Sequence, residues 1–172
     1  MVHVHCGKKS HVNTKRLLKP LNLNKTDVFL DAGCSDGYIS IEAAKQCKKV
    51  YALDIHKESI EKLKSKNIPN IIPLVADITK PLPIKEKVDF CLLSNVLHGL
   101  VENNELIAIK NIKKILKGEL IIVEFRKVVS VFGPSHSVKL SKDKIISILK
   151  KYNFRKVKDY NISLFHFALV FE

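Results

Sequence analysis

Short apolar runs alternate with amphipathic stretches along this chain, and that alternation limits its fold more than any other feature. Residues 27–31, 50–53, 71–75, 88–93 and 120–125 are brief and rich in β-branched or aromatic side chains. Runs of that length and composition, bounded by turn residues, are buried strands. Between them, helical spacing predicts helices over 38–48, 57–66 and 104–116, with Ile39, Ala43 and Ala44 on one face of the first and Gly118 at the end of the third. Strands separated by helices require right-handed crossovers and a parallel sheet covered on both faces. Ser141 is the expected N-cap of a helix over 141–152. The last two runs, 155–160 and 162–171, lie too close together for a helical crossover and must form an antiparallel hairpin turning near Tyr160-Asn161. The expected fold is therefore α/β: a three-layer sandwich with a mostly parallel seven-stranded sheet and a C-terminal antiparallel hairpin. With 172 residues, one such domain spanning 1–172 is expected. Sheets of this kind bind ligands at the carboxyl ends of their strands, at the switch point.

The segment from Asp27 to Tyr38 reads as a strand, a Gly-bearing turn and a helix start. Gly33 and Gly37 permit a tight turn and close approach of a ligand, and the turn's N–H groups would suit an anionic group. Asp54 follows Gly33 by 21 residues, at the tip of the second strand, where a carboxylate can accept bonds from both ribose hydroxyls. A dinucleotide site needs G-x-G-x-x-G, whereas here Gly33 and Gly37 stand four apart. Asp31 argues further against a pyrophosphate, because a carboxylate at the mouth of the turn repels phosphate and attracts an ammonium. S-adenosylmethionine offers an ammonium, a ribose diol and an adenine in that geometric order.

In these residues the chain resembles the class I S-adenosylmethionine-dependent methyltransferases, and within them the type 11 group. Leu30-Asp31-Ala32-Gly33-Cys34-Ser35-Asp36-Gly37 is similar to the family's first motif, with Ser35 where a middle glycine is common. Ala52-Leu53-Asp54-Ile55 resembles the acidic ribose-binding motif, and Val75-Ala76-Asp77-Ile78 the motif whose acid faces the adenine amino group. The run from Val88 to Asn95 resembles the fourth, whose end lies near the methionine moiety and the transferred methyl. The resemblance implies a cofactor site built from Asp31, Gly33, Cys34, Gly37, Tyr38, Asp54, Ile55, Asp77, Ile78 and Ser94. Asp77 is also ordinary turn chemistry, and Cys34 reads as a small buried residue of the turn rather than a nucleophile. His98, in Leu97-His98-Gly99-Leu100, is the candidate general base, since an imidazole titrates near neutrality; a packing role is the alternative. The Asn-Pro-Pro-Tyr signature of amino-group nucleic-acid methyltransferases is absent, its place reading Ser94-Asn95-Val96-Leu97.

The net charge of +13 invites a nucleic-acid reading, but only three of the thirty cationic residues are Arg, the side chain suited to bidentate recognition. A lysine- and isoleucine-rich chain also fits genome bias or a hot habitat. The excess lies in the ends: residues 27–125 hold fourteen basic and fourteen acidic residues, residues 1–26 six basic and no acidic ones, and residues 126–172 ten basic and three acidic. The acceptor side is expected to involve residues 1–25, which either leave the site open or cover it, and residues 126–139. A small-molecule acceptor is the first expectation. An RNA or protein substrate using the basic flanks, or a non-catalytic cofactor-binding scaffold, are the alternatives. Cys6, Cys34, Cys47 and Cys91 form no paired motif, and His3, His5, Cys6 and His11 lack the spacing of a structural zinc site, so no metal is expected. No apolar run reaches the roughly 20 residues of a membrane span, and no signal peptide is seen, so a cytoplasmic protein is expected, with its oligomeric state left open.

Overall fold

The computed structural model describes residues 12–128 and 133–172. Its elements run α1 (Thr14–Leu18, followed by a 3-10 turn, Lys19–Leu21), β1 (Val28–Ala32), α2 (Tyr38–Ala44), β2 (Lys49–Asp54), α3 (Lys57–Lys64), β3 (Ile71–Val75), β4 (Val88–Ser94), α4 (Leu97–Glu102), α5 (Ile107–Ile115), β5 (Leu116–Phe125), α6 (Lys142–Lys150), β6 (Lys156–Asn161) and β7 (His166–Phe171). The seven strands form one sheet in the order β3-β2-β1-β4-β5-β7-β6. β1 pairs in parallel with both β2 and β4, and β7 runs antiparallel between β5 and β6. The chain winds outward from β1 in both directions, so the switch point lies between β1 and β4.

Alternate residues of the buried strands feed two cores. Phe29, Val50, Leu92 and Ile121 meet Leu17 and Leu18 of α1, Ile39 and Ala43 of α2, and Ile60 and Leu63 of α3. Leu30, Leu93 and Ile122 meet Leu97 of α4, Ile109 and Ile112 of α5, and Ile145 and Leu149 of α6. The three layers and the hairpin follow the sequence expectation. Ser141 caps α6 as expected, its Oγ accepting from Lys144 N at 3.2 Å. The described part of the N-terminal segment is built into the first core: Leu17, Leu18 and Leu21 are buried, and the Tyr160 hydroxyl donates to Leu17 O at 2.8 Å. No described helix is long and apolar enough to cross a membrane.

Three local expectations need correction. The helix expected over 104–116 begins only at Ile107, as α5, because Asn104 adopts a left-handed backbone (φ 57°) just past the end of α4, a helix that the sequence reading did not expect. Gly118 does not end α5 but lies within β5, where residues 117 and 118 make a bulge opposite Asp89. A Cβ at Gly118 would overlap the Asp89 carbonyl oxygen and lie 3.1 Å from its carbon, so this glycine serves a close backbone approach. The hairpin turns over 162–165 rather than at Tyr160-Asn161, because Ile162 is drawn into the core while Leu164 forms the exposed tip.

Gly118→Ala should destabilise the protein by about 1–3 kcal/mol through overpacking. Gly99→Ala, in α4 with nothing within 4 Å of the new methyl, should stabilise it by roughly 0.5–1 kcal/mol from helix propensity. Urea denaturation midpoints moving in opposite directions would check the pair.

Candidate functional site

The carboxyl ends of β2, β1, β4 and β5 lie side by side, and the loops that follow them build the site. Residues 33–37 form a turn in which Gly33 (φ 86°), Ser35 (φ 51°) and Gly37 (φ 79°) all have left-handed backbone. Ser35 thus occupies a conformation that glycine adopts without strain. A Cβ on Gly33 would come within 2.5 Å of Val96 Cγ2 in the loop after β4, so the two switch-point loops touch there. The sequence expectation that the turn's N–H groups face an anion is overturned. Gly33 N and Cys34 N both donate to Leu53 O (2.7 and 2.8 Å), Ser35 N donates to Asp54 Oδ2, and Gly37 N donates to Cys34 O. The turn uses these donors to fasten itself to the end of β2.

Asp31 is 1% exposed, and Ser40 Oγ of α2 donates to its Oδ2 at 2.6 Å. No described cation pairs with it. Burial pushes its pKa up to about 6, the Ser40 hydrogen bonds opposing the rise and the Asp54 charge adding to it. A buried carboxylate without a counter-ion is poised for a cationic ligand.

Asp54 links two segments. Its Oδ2 accepts from Ser35 N at 2.8 Å, while its Oδ1 accepts from His56 N at 2.9 Å and lies 2.8 Å from His56 Nδ1. Beyond it Ile55 is exposed, and so is Val75 at the end of β3, which leaves apolar surface at the outer end of the site. Asp77 closes a local turn, its Oδ1 accepting from Thr79 N and Thr79 Oγ1 at 2.8 and 2.7 Å; these bonds hold its pKa below the usual carboxylate value. Ile78 packs partly buried against the second core, and Asn111 of α5 donates to its carbonyl. Tyr38, the first residue of α2, is half exposed beside the turn.

At the ends of β4 and β5 the structure assembles a group the sequence showed only in part. Ser94 ends β4 half-buried, and Asn95 follows in left-handed backbone (φ 58°) with its N–H donated to Val123 O. The Asn95 amide lies 3.4 Å from His166 Nε2 at one end, while its other end is buried without a hydrogen-bond partner. His98, in α4, meets Glu124 at the end of β5: His98 N donates to Oε1 at 3.0 Å, and Nδ1 lies 2.8 Å from Oε2. Glu124 is fully buried. Burial alone would lower the His98 pKa, but the Glu124 hydrogen bond and charge outweigh it, with a further contribution from Glu102, and the pKa rises above the ordinary imidazole value.

Cys34, Cys47 and Cys91 are unpaired and buried, and burial raises all three thiol pKa values, that of Cys47 to about 12. Such thiols are inert packing groups. No group of three or more His, Cys, Asp or Glu among the described residues could hold a metal; the His3, His5, Cys6 and His11 cluster lies outside those residues.

The sequence model described as a methyltransferase domain matches residues 30–123, from within β1 to within β5. The chain belongs to that methyltransferase family. Its architecture is the Rossmann-like methyltransferase fold. A solved structure of a S-adenosylmethionine-dependent methyltransferase from Aquifex aeolicus is similar with a TM-score of 0.83 and 22% identity, over 93% of this chain and 89% of that one. The solved structure of a "putative type 11 methyltransferase" from Sulfolobus solfataricus is similar with a TM-score of 0.79 and 27% identity, over 95% of this chain and 93% of that one. Among curated relatives, the "probable cobalt-precorrin-6B C(15)-methyltransferase (decarboxylating)" of Methanocaldococcus jannaschii is 39% identical over 69 residues, 36% of this chain and 38% of the relative. The matched segment spans less than two thirds of the first curated relatives, 38%, 52% and 63% of their lengths.

Within this methyltransferase-family frame, sequence reasoning missed Ser40, Asn95, Glu124 and His166. Glu124 did leave a signal, being the one acid in the otherwise apolar run from Leu120 to Phe125. A carboxylate in a fully buried strand needs a partner from elsewhere. Ser40 and His166 left none, because their partners are set by packing.

Asp31 carries a test with a definite sign. Its folded pKa, about 6, lies above the ordinary 3.8, so the folded state binds this proton more tightly than the unfolded chain. The group favours folding fully below pH 3.8 and costs stability as pH rises through 6, by about 3 kcal/mol at 1.36 kcal/mol per unit. Asp31→Asn should therefore raise the stability of the ligand-free protein at pH 8 by up to about 3 kcal/mol, with the gain vanishing below about pH 4. Urea melts at the two pH values would read this.

Proposed function

We propose that this chain transfers a methyl group from S-adenosylmethionine to a small-molecule acceptor, and that residues 1–172 act as a single domain. The observation that carries the reading is Asp31, a buried carboxylate without a counter-ion among the described residues, one strand away from Asp54. When bound, the cofactor supplies a methyl group on a sulfonium sulfur, open to direct displacement by a nucleophile. Asp31 would take the ammonium of its methionine part, and ionisation below the ordinary cost of burial would follow from that pairing. Asp54, already oriented by Ser35 and His56, would accept the ribose hydroxyls with its remaining lone pairs. Ile55 and Ile78 would flank the adenine, with Asp77 near its amino group. Gly33, Cys34, Gly37, Tyr38 and Ser94 would line the methionine part. His98 would receive the acceptor's proton. Alignment of the reacting atoms can supply about 7–11 kcal/mol of the barrier, so a modest set of side chains suffices.

The small-molecule reading draws support from the archaeal relative, which is named for a corrinoid precursor. The basic flanks also have internal uses. Lys25 donates to Lys45 O, Arg126 to Leu164 O and Lys139 to Val128 O, while Lys142, Arg155 and Lys158 pair with Asp159, Glu172 and Glu119. The unpaired, buried thiols fit a reducing compartment such as the cytoplasm.

Isothermal calorimetry with S-adenosylmethionine tests the reading. Binding is expected at pH 7.5, with at least ten-fold weaker affinity in Asp54→Ala and in Asp31→Asn. Wild-type affinity should fall about ten-fold per unit below pH 6, because the carboxylate form is the one that binds. Absence of binding, or unchanged affinity in both variants, would sink the proposal.

A further inference from the structure

We propose that Glu124 is a positioning residue that holds His98 as a general base, and that the acceptor atom it serves is the oxygen of a hydroxyl group. The inference rests on the methyl-transfer reading above and extends it to the chemistry of the acceptor. Glu124 stands at the end of β5, fully buried, and both of its oxygens are engaged by one residue. Oε1 accepts the His98 backbone N–H at 3.0 Å, and Oε2 lies 2.8 Å from His98 Nδ1. A carboxylate can only accept, so Nδ1 carries the hydrogen and Nε2 of the neutral ring carries the free lone pair. Nε2 has no hydrogen bond to any described residue, and the His98 side chain keeps 18% of its exposure. The imidazole is thus anchored at one nitrogen and available at the other, as a base requires.

A purely structural role would explain less. Accepting the His98 N–H at the start of α4 needs only a neutral cap, and burying a charged carboxylate with imidazole as its only charge partner among the described residues is a costly way to obtain one. The charge becomes useful when a proton arrives on Nε2, because the imidazolium then forms beside a fixed counter-ion. Glu102 adds negative charge nearby in the same helix.

The need for a base selects the acceptor. A free amine or a thiolate already offers a lone pair able to attack a methyl carbon. A hydroxyl oxygen is a weak nucleophile until its proton leaves. In the inferred step the O–H bond breaks and its proton moves to His98 Nε2. The electron pair left on oxygen forms the O–CH3 bond as the methyl–sulfur bond breaks with its pair going to sulfur. The dyad passes from one net negative charge to neutral, and no other reactant is required.

The test uses the full chain. Nitrogen-15 NMR of the His98 ring should show hydrogen on Nδ1 and not on Nε2. In Glu124→Gln the side-chain NH2 that can face Nδ1 should invert the tautomer. With radiolabelled S-adenosylmethionine, phenol and a nitrophenol ionised at the assay pH serve as hydroxyl probes, and aniline and an aromatic thiol, which offer a free amine and a thiolate at that pH, as the contrast. Phenol methylation is expected, with kcat roughly 100-fold or more lower in Glu124→Gln and cofactor affinity unchanged. The loss on the ionised nitrophenol should be less than about ten-fold, because it needs no base. The same tautomer in both proteins, equal losses on the two phenols, or transfer to the amine or thiol but to neither phenol would overturn the inference while leaving the methyl-transfer reading intact. Failure of the wild-type chain to bind S-adenosylmethionine would overturn both.

Discussion

A carboxylate removed from water at the end of a strand buried along its whole length is the constraint on which this site depends. β1 is enclosed by β2 and β4 at its edges and by a core on each face, so Asp31 cannot turn to solvent. Ser40 satisfies one oxygen but leaves the charge uncompensated, and the raised pKa records that deficit. A cation arriving at the end of β1 would remove it. The position of β1 within the sheet therefore couples the fold to ligand charge: a strand buried at every position ends in a carboxylate with no described cation beside it.

The loops around Asp31 are held by two carboxylates that work alike. Asp54 accepts a backbone N–H and faces Nδ1 of His56, and Glu124 does the same with His98. The consequences differ with burial and range. Asp54 and His56 are two residues apart, and Asp54 is still able to tie the turn after β1 through Ser35. Glu124 and His98 are 26 residues apart and belong to different elements, so their pairing fixes α4 against the end of β5. One carboxylate shapes the end of β2 and the turn after β1, and the other shapes the ends of β4 and β5.

Ser35 and Gly118 show how local sequence rules bend to these contacts. A serine holds left-handed backbone at the place where the family commonly has glycine, its N–H anchored by Asp54. Gly118 read as a helix terminator, yet it lies in a strand because the Asp89 backbone passes too close for any side chain. In each case a tertiary contact overrides the ordinary preference of the residue.

Much of this protein was legible in its residues. Period and run length identified the parallel strands, the closing hairpin and Ser141 as a cap, because these depend on burial patterns and hydrogen bonds within a few residues. The spacing of Asp31, Gly33, Gly37 and Asp54 marked the turn after β1 and the tip of β2 for the same reason: each sits at or just after a strand end the pattern already marks. The break at Asn104, the internal use of the turn's N–H groups, the desolvation of Asp31 and the meeting of Glu124 with His98 were decided only by the tertiary structure. They depend on which strand ends lie adjacent and how much water is excluded between them, and neither quantity is written in the spacing of residues along the chain.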